Sequence, residues 1–170
     1  MSSAGAARPS KEELKRRAAD VIESRADELI GLSKTILANP EPGFRETKTA
    51  RLVAGKFAEM GMQARVGLGL TGVRADLVGG SPGPALAVIG ELDSLIVNEH
   101  PHADSETGAA HACGHHCQMG MILGAAMALN QPGVLESLSG RLAFMAVPAE
   151  EYIEIEYRDS LRQQLSLIHI

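Results

Sequence analysis

Two groups of residues in this chain can do chemistry together. One is His111-Ala-Cys-Gly-His115-His116-Cys117, and the other is Val147-Pro-Ala-Glu150-Glu151, which ends an apolar run. A thiolate, imidazoles and paired carboxylates are donor types that hold a divalent transition metal. Cys113 and His115 are separated by Gly114 alone. In extended backbone, residues i and i+2 point the same way, so both side chains can reach one cation, and the glycine permits a tighter turn. A bound cation would lower the thiol pKa and hold Cys113 as thiolate. Glu150 and Glu151 are adjacent and point differently at a strand end. That suits one to ligation and the other to proton transfer with water, and spacing does not say which is which. Asp93, in Glu91-Leu-Asp93 at the end of another apolar run, is placed to orient a ligand imidazole.

Each of these residues has an ordinary reading when taken alone. A single cysteine is commonly a small buried hydrophobe. His100, His102 and His169 read as surface residues, and an acidic pair in a loop as solvated. The combination, set between apolar strands, points to a metal-dependent hydrolase. Cys113 and Cys117 are one residue too far apart for a redox Cys-x-x-Cys pair, and Gln118 stands where haem attachment requires histidine.

The elements that must position these groups follow from the hydrophobic pattern. Residues 11–38 read as one long helix, with Ser10 and Glu13 forming a capping box and Val21, Ile22, Leu29, Ile30, Ser33, Ile36 and Leu37 a mostly apolar stripe at helical spacing. Asn39-Pro-Glu-Pro-Gly43 ends it, and a second helix fits about 46–60, closed by Gly61. Residues 62–67 and 72–78 read as short strands. The runs 85–89 and 142–147 read as strands buried on both faces. A polar loop over 98–112 and a helix over about 117–129 lie between them. Gly120, Gly124, Ala125 and Ala126 permit close packing of that helix. This order predicts an α/β fold with a mixed sheet, in which ligands bind beyond the carboxyl ends of strands. Asp93, the Cys113–His115 turn and Glu150–Glu151 are expected to converge there.

Composition narrows the function classes. At 170 residues, 45% apolar and 22% charged, the chain can build one soluble core. Aromatic residues make up only 3% and the formal charge is −5, which argues against a nucleic-acid partner. Lys11, Lys15, Arg16 and Arg17 are interleaved with Glu12, Glu13 and Asp20, as on a solvated helix face. No apolar run is long enough for a bilayer, and residues 1–10 hold no signal core. The two cysteines form no disulfide framework, so a cytoplasmic setting is expected.

Several segments together resemble the M20 family of metallopeptidases and amidohydrolases. They are Asn39-Pro-Glu-Pro-Gly-Phe-Arg-Glu46, Gly90-Glu-Leu-Asp-Ser-Leu95, His111-Ala-Cys-Gly-His115 and Val147-Pro-Ala-Glu-Glu151. The likeness runs from about residue 12 to about residue 158. It points to the amidohydrolase branch with aminoacylase-like, indole-acetyl-amino-acid hydrolase-like and aminobenzoyl-glutamate hydrolase-like enzymes. His100-Pro-His-Ala-Asp-Ser-Glu-Thr-Gly108 is similar to one subgroup of that branch.

The resemblance implies a mixed-sheet, zinc-peptidase-like catalytic domain with two divalent ions, zinc or manganese or else cobalt. By this likeness Cys113, His115 and Glu151 are metal ligands, Glu150 is the general base, and Asp93 supports the site. The role of Glu91 is left open, and His116, where relatives carry Asp or Asn, reads as filling space. Family members continue through an inserted lid or dimerisation domain. The resemblance therefore implies a truncated N-terminal part over 11–158, inactive alone and homodimeric when full length. Residues 1–10 are expected to be a disordered lead and 159–170 a non-native or disordered tail. The expected substrate is the amide of an N-acyl amino acid, an aminobenzoyl-glutamate-like compound or a small peptide. The alternative is a non-catalytic fragment or binding protein with a partial metal site.

Overall fold

A computed structural model describes residues 9–165. Helix α1 spans Lys11–Ser24 and opens with the Ser10 hydroxyl accepting from the Glu13 amide at 3.2 Å. The other half of the expected capping box is not made, because the Glu13 carboxylate pairs with Arg16 and Arg17 instead. The single helix expected over 11–38 is two. At Arg25 the backbone leaves helical geometry, and α2 begins at Ala26 and runs to Leu37. The Ser24 hydroxyl donates to Val21 O at 2.9 Å, a local bond that competes with the helical ladder. The break lets both pieces lie against the helix that begins at His115.

Helix α3, Thr47–Glu59, buries Val53 and Phe57 and is closed at Gly61, with Met62 N donating to Phe57 O at 2.9 Å. Its first amides are capped from outside the helix. The Glu41 carboxylate accepts from Lys48 N and Thr49 N, which uses donors every helix start leaves free.

Strands β1 (Ala64–Leu68), β2 (Gly72–Val78), β3 (Ser81–Glu91) and β6 (Ser139–Val147) form one mixed sheet in the order β1-β2-β6-β3. The β1–β2 and β2–β6 pairs are antiparallel, and β3–β6 is parallel. Between β3 and β6 the chain makes a two-stranded ribbon, β4 (Leu95–Ile96) with β5 (Ala109–Ala110), then α4 (His115–Leu129). A parallel pair needs such a crossover, and it returns both strands to the same end of the sheet. Glu91 is thereby in register with Val147, and Leu92 N donates to Val147 O at 2.9 Å.

Helix α4 is apolar nearly all round because it is sandwiched, with the sheet on one side and α1 and α2 on the other. Met119, Ile122, Leu123 and Ala126 join Phe57, Phe144 and Leu92 in the core. A Cβ at Gly120 would stand 2.3 Å from Ser33 Oγ, so the small residue sets how closely α2 approaches. Helix α5, Ile155–Leu165, packs Leu161 against Phe44 and Ala149. The tail expected over 159–170 thus begins inside a helix that covers an apolar contact. Residues 166–170, and most of the lead expected over 1–10, lie outside the described residues.

The run 85–89 is not buried on both faces. Among the described residues strand β3 is a sheet edge paired only with β6, and Leu86 and Ile89 are 60% and 58% exposed. In β6, by contrast, which has a strand on either side, Phe144 and Ala146 are buried in the core with Phe57 of α3 and Leu123 of the helix beginning at His115. No helix among the described residues is long and apolar enough to cross a membrane.

An unpaired, apolar strand edge templates association. The 170-residue chain alone is therefore expected to self-associate at micromolar concentration in light scattering, and L86K with I89K to suppress this. A soluble monomer with a sharp, cooperative thermal transition would contradict the expectation.

Candidate metal centre

Asp93 follows β3 and is fully buried. Its Oδ1 accepts from Glu150 N at 3.1 Å and its Oδ2 from Glu151 N at 2.9 Å. One carboxylate thus ties the end of β3 to the end of β6. Its neighbour Ser94 donates through N and Oγ to Glu41 O, both at 3.0 Å, which fixes the loop from the other side.

The Cys113–Gly114–His115 segment converges by a different route from the extended one expected. Gly114 has φ +102° and stands at the N-terminus of α4. A left-handed glycine turns the chain so that Cys113 remains exposed while His115 enters the core, 2% exposed. His115 Nδ1 lies 2.9 Å from the backbone carbonyl of Asp93. A carbonyl can only accept, so Nδ1 is the protonated nitrogen of the neutral ring, and it is Nε2 that can offer a lone pair to an ion. Asp93 therefore orients the imidazole through its main chain, while its carboxylate serves mainly the Glu150–Glu151 amides.

Three carboxylates face that nitrogen. Glu91 Oε2 is 3.2 Å from His115 Nε2, Glu151 Oε1 3.7 Å and Glu150 Oε2 3.8 Å. Two overlapping donor groups result, Cys113–His115–Glu151 and Glu91–His115–Glu150, each with its ligand atoms within 4.8 Å of one another. The structure thus brings Cys113, His115, Glu150, Glu151 and Asp93 to one place and adds Glu91.

The residues fit a divalent cation. Glu151 Oε1 is buried without a hydrogen-bond partner. Among the described residues no Lys or Arg forms an ion pair with Glu91, Glu150 or Glu151. Like charges held this close in a partly dry site repel strongly unless a cation sits among them. The Cys113 thiol is pushed above its ordinary range, first by its hydrogen bond to Glu151, then by lost hydration and the charges of Glu151, Glu150 and Glu91. A cation would reverse that effect by favouring the thiolate.

The loop carrying the glutamates is held from both edges. Ala149, with φ +55°, donates its N–H to Glu46 Oε1 at 2.8 Å, and Glu46 Oε2 accepts from Thr71 Oγ1 at 2.6 Å. On the carbonyl side, Arg158 donates to Ala149 O, Glu151 O and Ile153 O. Its guanidinium lies 4.8 Å from the Tyr152 ring centroid and 5.3 Å from that of Phe44. Sequence reading assigned no role to Glu41, Glu46 or Arg158. The first two were visible only as letters in the Asn39–Glu46 segment.

His111 and His116 face each other, ring centroids 5.4 Å apart, and neither belongs to a donor group. Both ring nitrogens of His111 and Nδ1 of His116 are buried without partners. His100 and His102 lie together in the 98–108 loop, away from both donor groups, and His169 is outside the described residues.

Residues 87–158 match the model of Peptidase family M20/M25/M40. The chain is 35% identical over 127 residues to the N-acetyl-L-cysteine deacetylase of Bacillus subtilis (strain 168), covering 73% of this chain and 30% of that protein. It is 38% identical over 121 residues to IAA-amino acid hydrolase ILR1-like 6 of Arabidopsis thaliana, covering 69% and 25%. Among solved structures, a dinuclear metal binding peptidase of the M20 family from Bacillus subtilis superposes with a TM-score of 0.68 at 28% identity, over 82% of this chain and 40% of that one. An aminobenzoyl-glutamate utilization protein from Klebsiella pneumoniae, 21% identical, shares the fold with a TM-score of 0.61, over 79% and 40%. The chain spans about 30% of the length of the curated relatives it matches.

His111 gives a pH test of this packing. Burial first, then the charges of His116 and His115, bring its pKa down from 6.5 to about 4. The unfolded chain therefore takes up the proton first. The stability from neutral His111 is full above pH 6.5 and is lost as pH falls towards 4, on the order of 3 kcal/mol. Denaturant titrations of metal-free protein at stepped pH should show this loss, and H111Q should flatten it. An identical pH slope in H111Q would refute it.

Proposed function

We propose, from a chain that carries an M20-family segment over residues 87–158, that the whole protein is a metal-dependent amidohydrolase. The observation that carries this reading is the convergence of Glu91, Glu150 and Glu151 on His115 Nε2. Cys113, His115 and Glu151 would hold the first ion. The mixture of thiolate, imidazole and carboxylate suits zinc, manganese or cobalt. Bound ions would polarise the scissile carbonyl and make a water acidic enough to deprotonate near neutral pH.

The two glutamates divide the remaining work by exposure. The Glu151 side chain is 18% exposed and ends in an unpartnered oxygen, which suits ligation. The Glu150 side chain is 51% exposed, free to meet substrate, while its amide is fixed on Asp93. Glu150 would take the proton from the attacking water and return it to the leaving amine nitrogen. Asp93 accepts from Nδ1 of His115 through its carbonyl, which leaves Nε2 facing the glutamates, and its carboxylate holds the Glu150 and Glu151 amides; it touches no reacting atom.

The Nε2 lone pair serves one ion, so the two donor groups cannot both be filled through His115. A two-ion centre needs donors in addition to these. The chain alone, with a single shared imidazole, would then be a metal-binding piece without turnover. The substrate class is a small amide: an N-acyl amino acid, an aminobenzoyl-glutamate-like compound or a short peptide. We place the protein in the cytoplasm, where Cys113 stays reduced, and expect a homodimer.

In the whole protein, E150Q should keep its metal by elemental analysis and lose kcat by about 10²–10⁴-fold on an N-acetyl amino acid. Unchanged turnover would refute the assignment of the base. C113A should weaken cobalt(II) uptake and abolish the thiolate charge-transfer band. A band of wild-type intensity would exclude Cys113 as a ligand.

A further inference from the structure

Three consecutive amides around the glutamate pair are taken up by two buried carboxylates. Asp93 accepts from Glu150 and Glu151, and Glu46 accepts from Ala149. Ala149 is a non-glycine residue at φ +55°, a conformation that L-residues rarely adopt. It persists only where its surroundings over-determine it. We propose that Glu46 is a positioning residue for Glu150. By accepting the Ala149 N–H it holds the left-handed turn that directs Glu150 towards the His115 cluster. The proposal rests on the reading of Glu150 as the base.

The geometry makes Glu46 a rigid post. It is fully buried, and its second oxygen is anchored by the Thr71 hydroxyl at the start of β2. The same segment shapes the seat for Ala149. A Cβ on Gly43 would stand 2.9 Å from Ala149 Cβ, and Phe44 packs against Ala149 from the same cluster. Relaxing Ala149 to negative φ would turn its N–H off Glu46 and swing the next peptide away from Asp93 Oδ1. Glu46 belongs to neither donor group, and the Ala149 N–H is its hydrogen bond to the loop that carries the glutamates.

What the turn requires of residue 46 is an acceptor at the right reach. Burial, against hydrogen bonds from Thr71 and nearby amides, pushes the Glu46 carboxyl above its usual range, consistent with a neutral group sufficing here. A glutamine can meet both contacts. Its carbonyl oxygen accepts from Ala149 N–H, and its amide donates to the Thr71 hydroxyl, which can accept. An alanine removes both partners and leaves a buried amide unsatisfied.

The test uses the whole protein with cobalt(II), an N-acetyl amino acid as substrate, and hydrogen exchange read at residues 149–151. E46A should retain cobalt stoichiometry and the thiolate band, and lose kcat about 100-fold with KM within about threefold, as expected of a misaimed base. Its amides at 149–151 should exchange faster. E46Q should restore kcat to within about threefold of wild type and restore protection. T71V frees only the far oxygen and, should E46A fail to fold, is expected to show the same pattern more weakly. Wild-type kcat or wild-type protection in E46A, or in T71V where E46A does not fold, would overturn the proposal. So would E46Q as impaired as E46A, or loss of cobalt in step with kcat. A wild-type protein that neither binds cobalt nor hydrolyses amides would overturn the catalytic part together with the enzyme reading. The exchange contrast would then still decide whether Glu46 holds the turn.

Discussion

The site depends on one buried carboxylate, Asp93, accepting two successive amides from the end of a neighbouring strand. Parallel pairing of β3 with β6 brings the two strand ends side by side. Asp93 then converts that proximity into a fixed geometry, because amides spent on its two oxygens cannot turn elsewhere. Its backbone carbonyl sets the His115 tautomer in the same place. A single residue thereby fixes the direction of the two glutamates and the state of the imidazole they face.

Around that anchor the chain concentrates negative charge with which no Lys or Arg among the described residues forms an ion pair. The basic residues are used elsewhere: Arg16 and Arg17 on α1, Arg74 with Asp76 on the sheet, Arg45 with Glu154 beside α5. Arg158 comes near the glutamates but spends its donors on main-chain carbonyls. The main chain of the glutamate pair is thus fixed while its carboxylates have no cationic partner among the described residues, as expected of groups that receive an ion. Helix α4, buried between sheet and helices, supplies the stiff base from which His115 projects.

Much of this was legible in the sequence. Cys113, His115, Glu150 and Glu151 stood out because thiol, imidazole and paired carboxylate sit beside apolar runs, and those runs became β3 and β6. Helix α3, strands β1 and β2 and the small-residue face of α4 followed from period and turn residues, while the antiparallel pairing of the two strands came from the structure. The errors came where tertiary context overrides local pattern. The apolar stripe of 11–38 carries no mark of the break at Arg25, where the backbone leaves helical geometry. The run 85–89 has the composition of a strand covered on both faces, yet only one side of β3 is paired among the described residues.

The sequence by itself determined which residue types are present and that they fall at strand ends, since hydrophobic period and turn chemistry are local properties. It also carried the family likeness, through ordered motifs that no single residue supplies. Only the tertiary structure decided how those residues meet. It placed Glu91 3.2 Å from His115 Nε2, gave the Cys113–His115 turn its left-handed glycine, and showed what Glu41 and Glu46 hold. Those contacts join residues as far apart as 46 and 149. A hydrogen bond between positions so distant in the chain leaves no periodic trace in either segment.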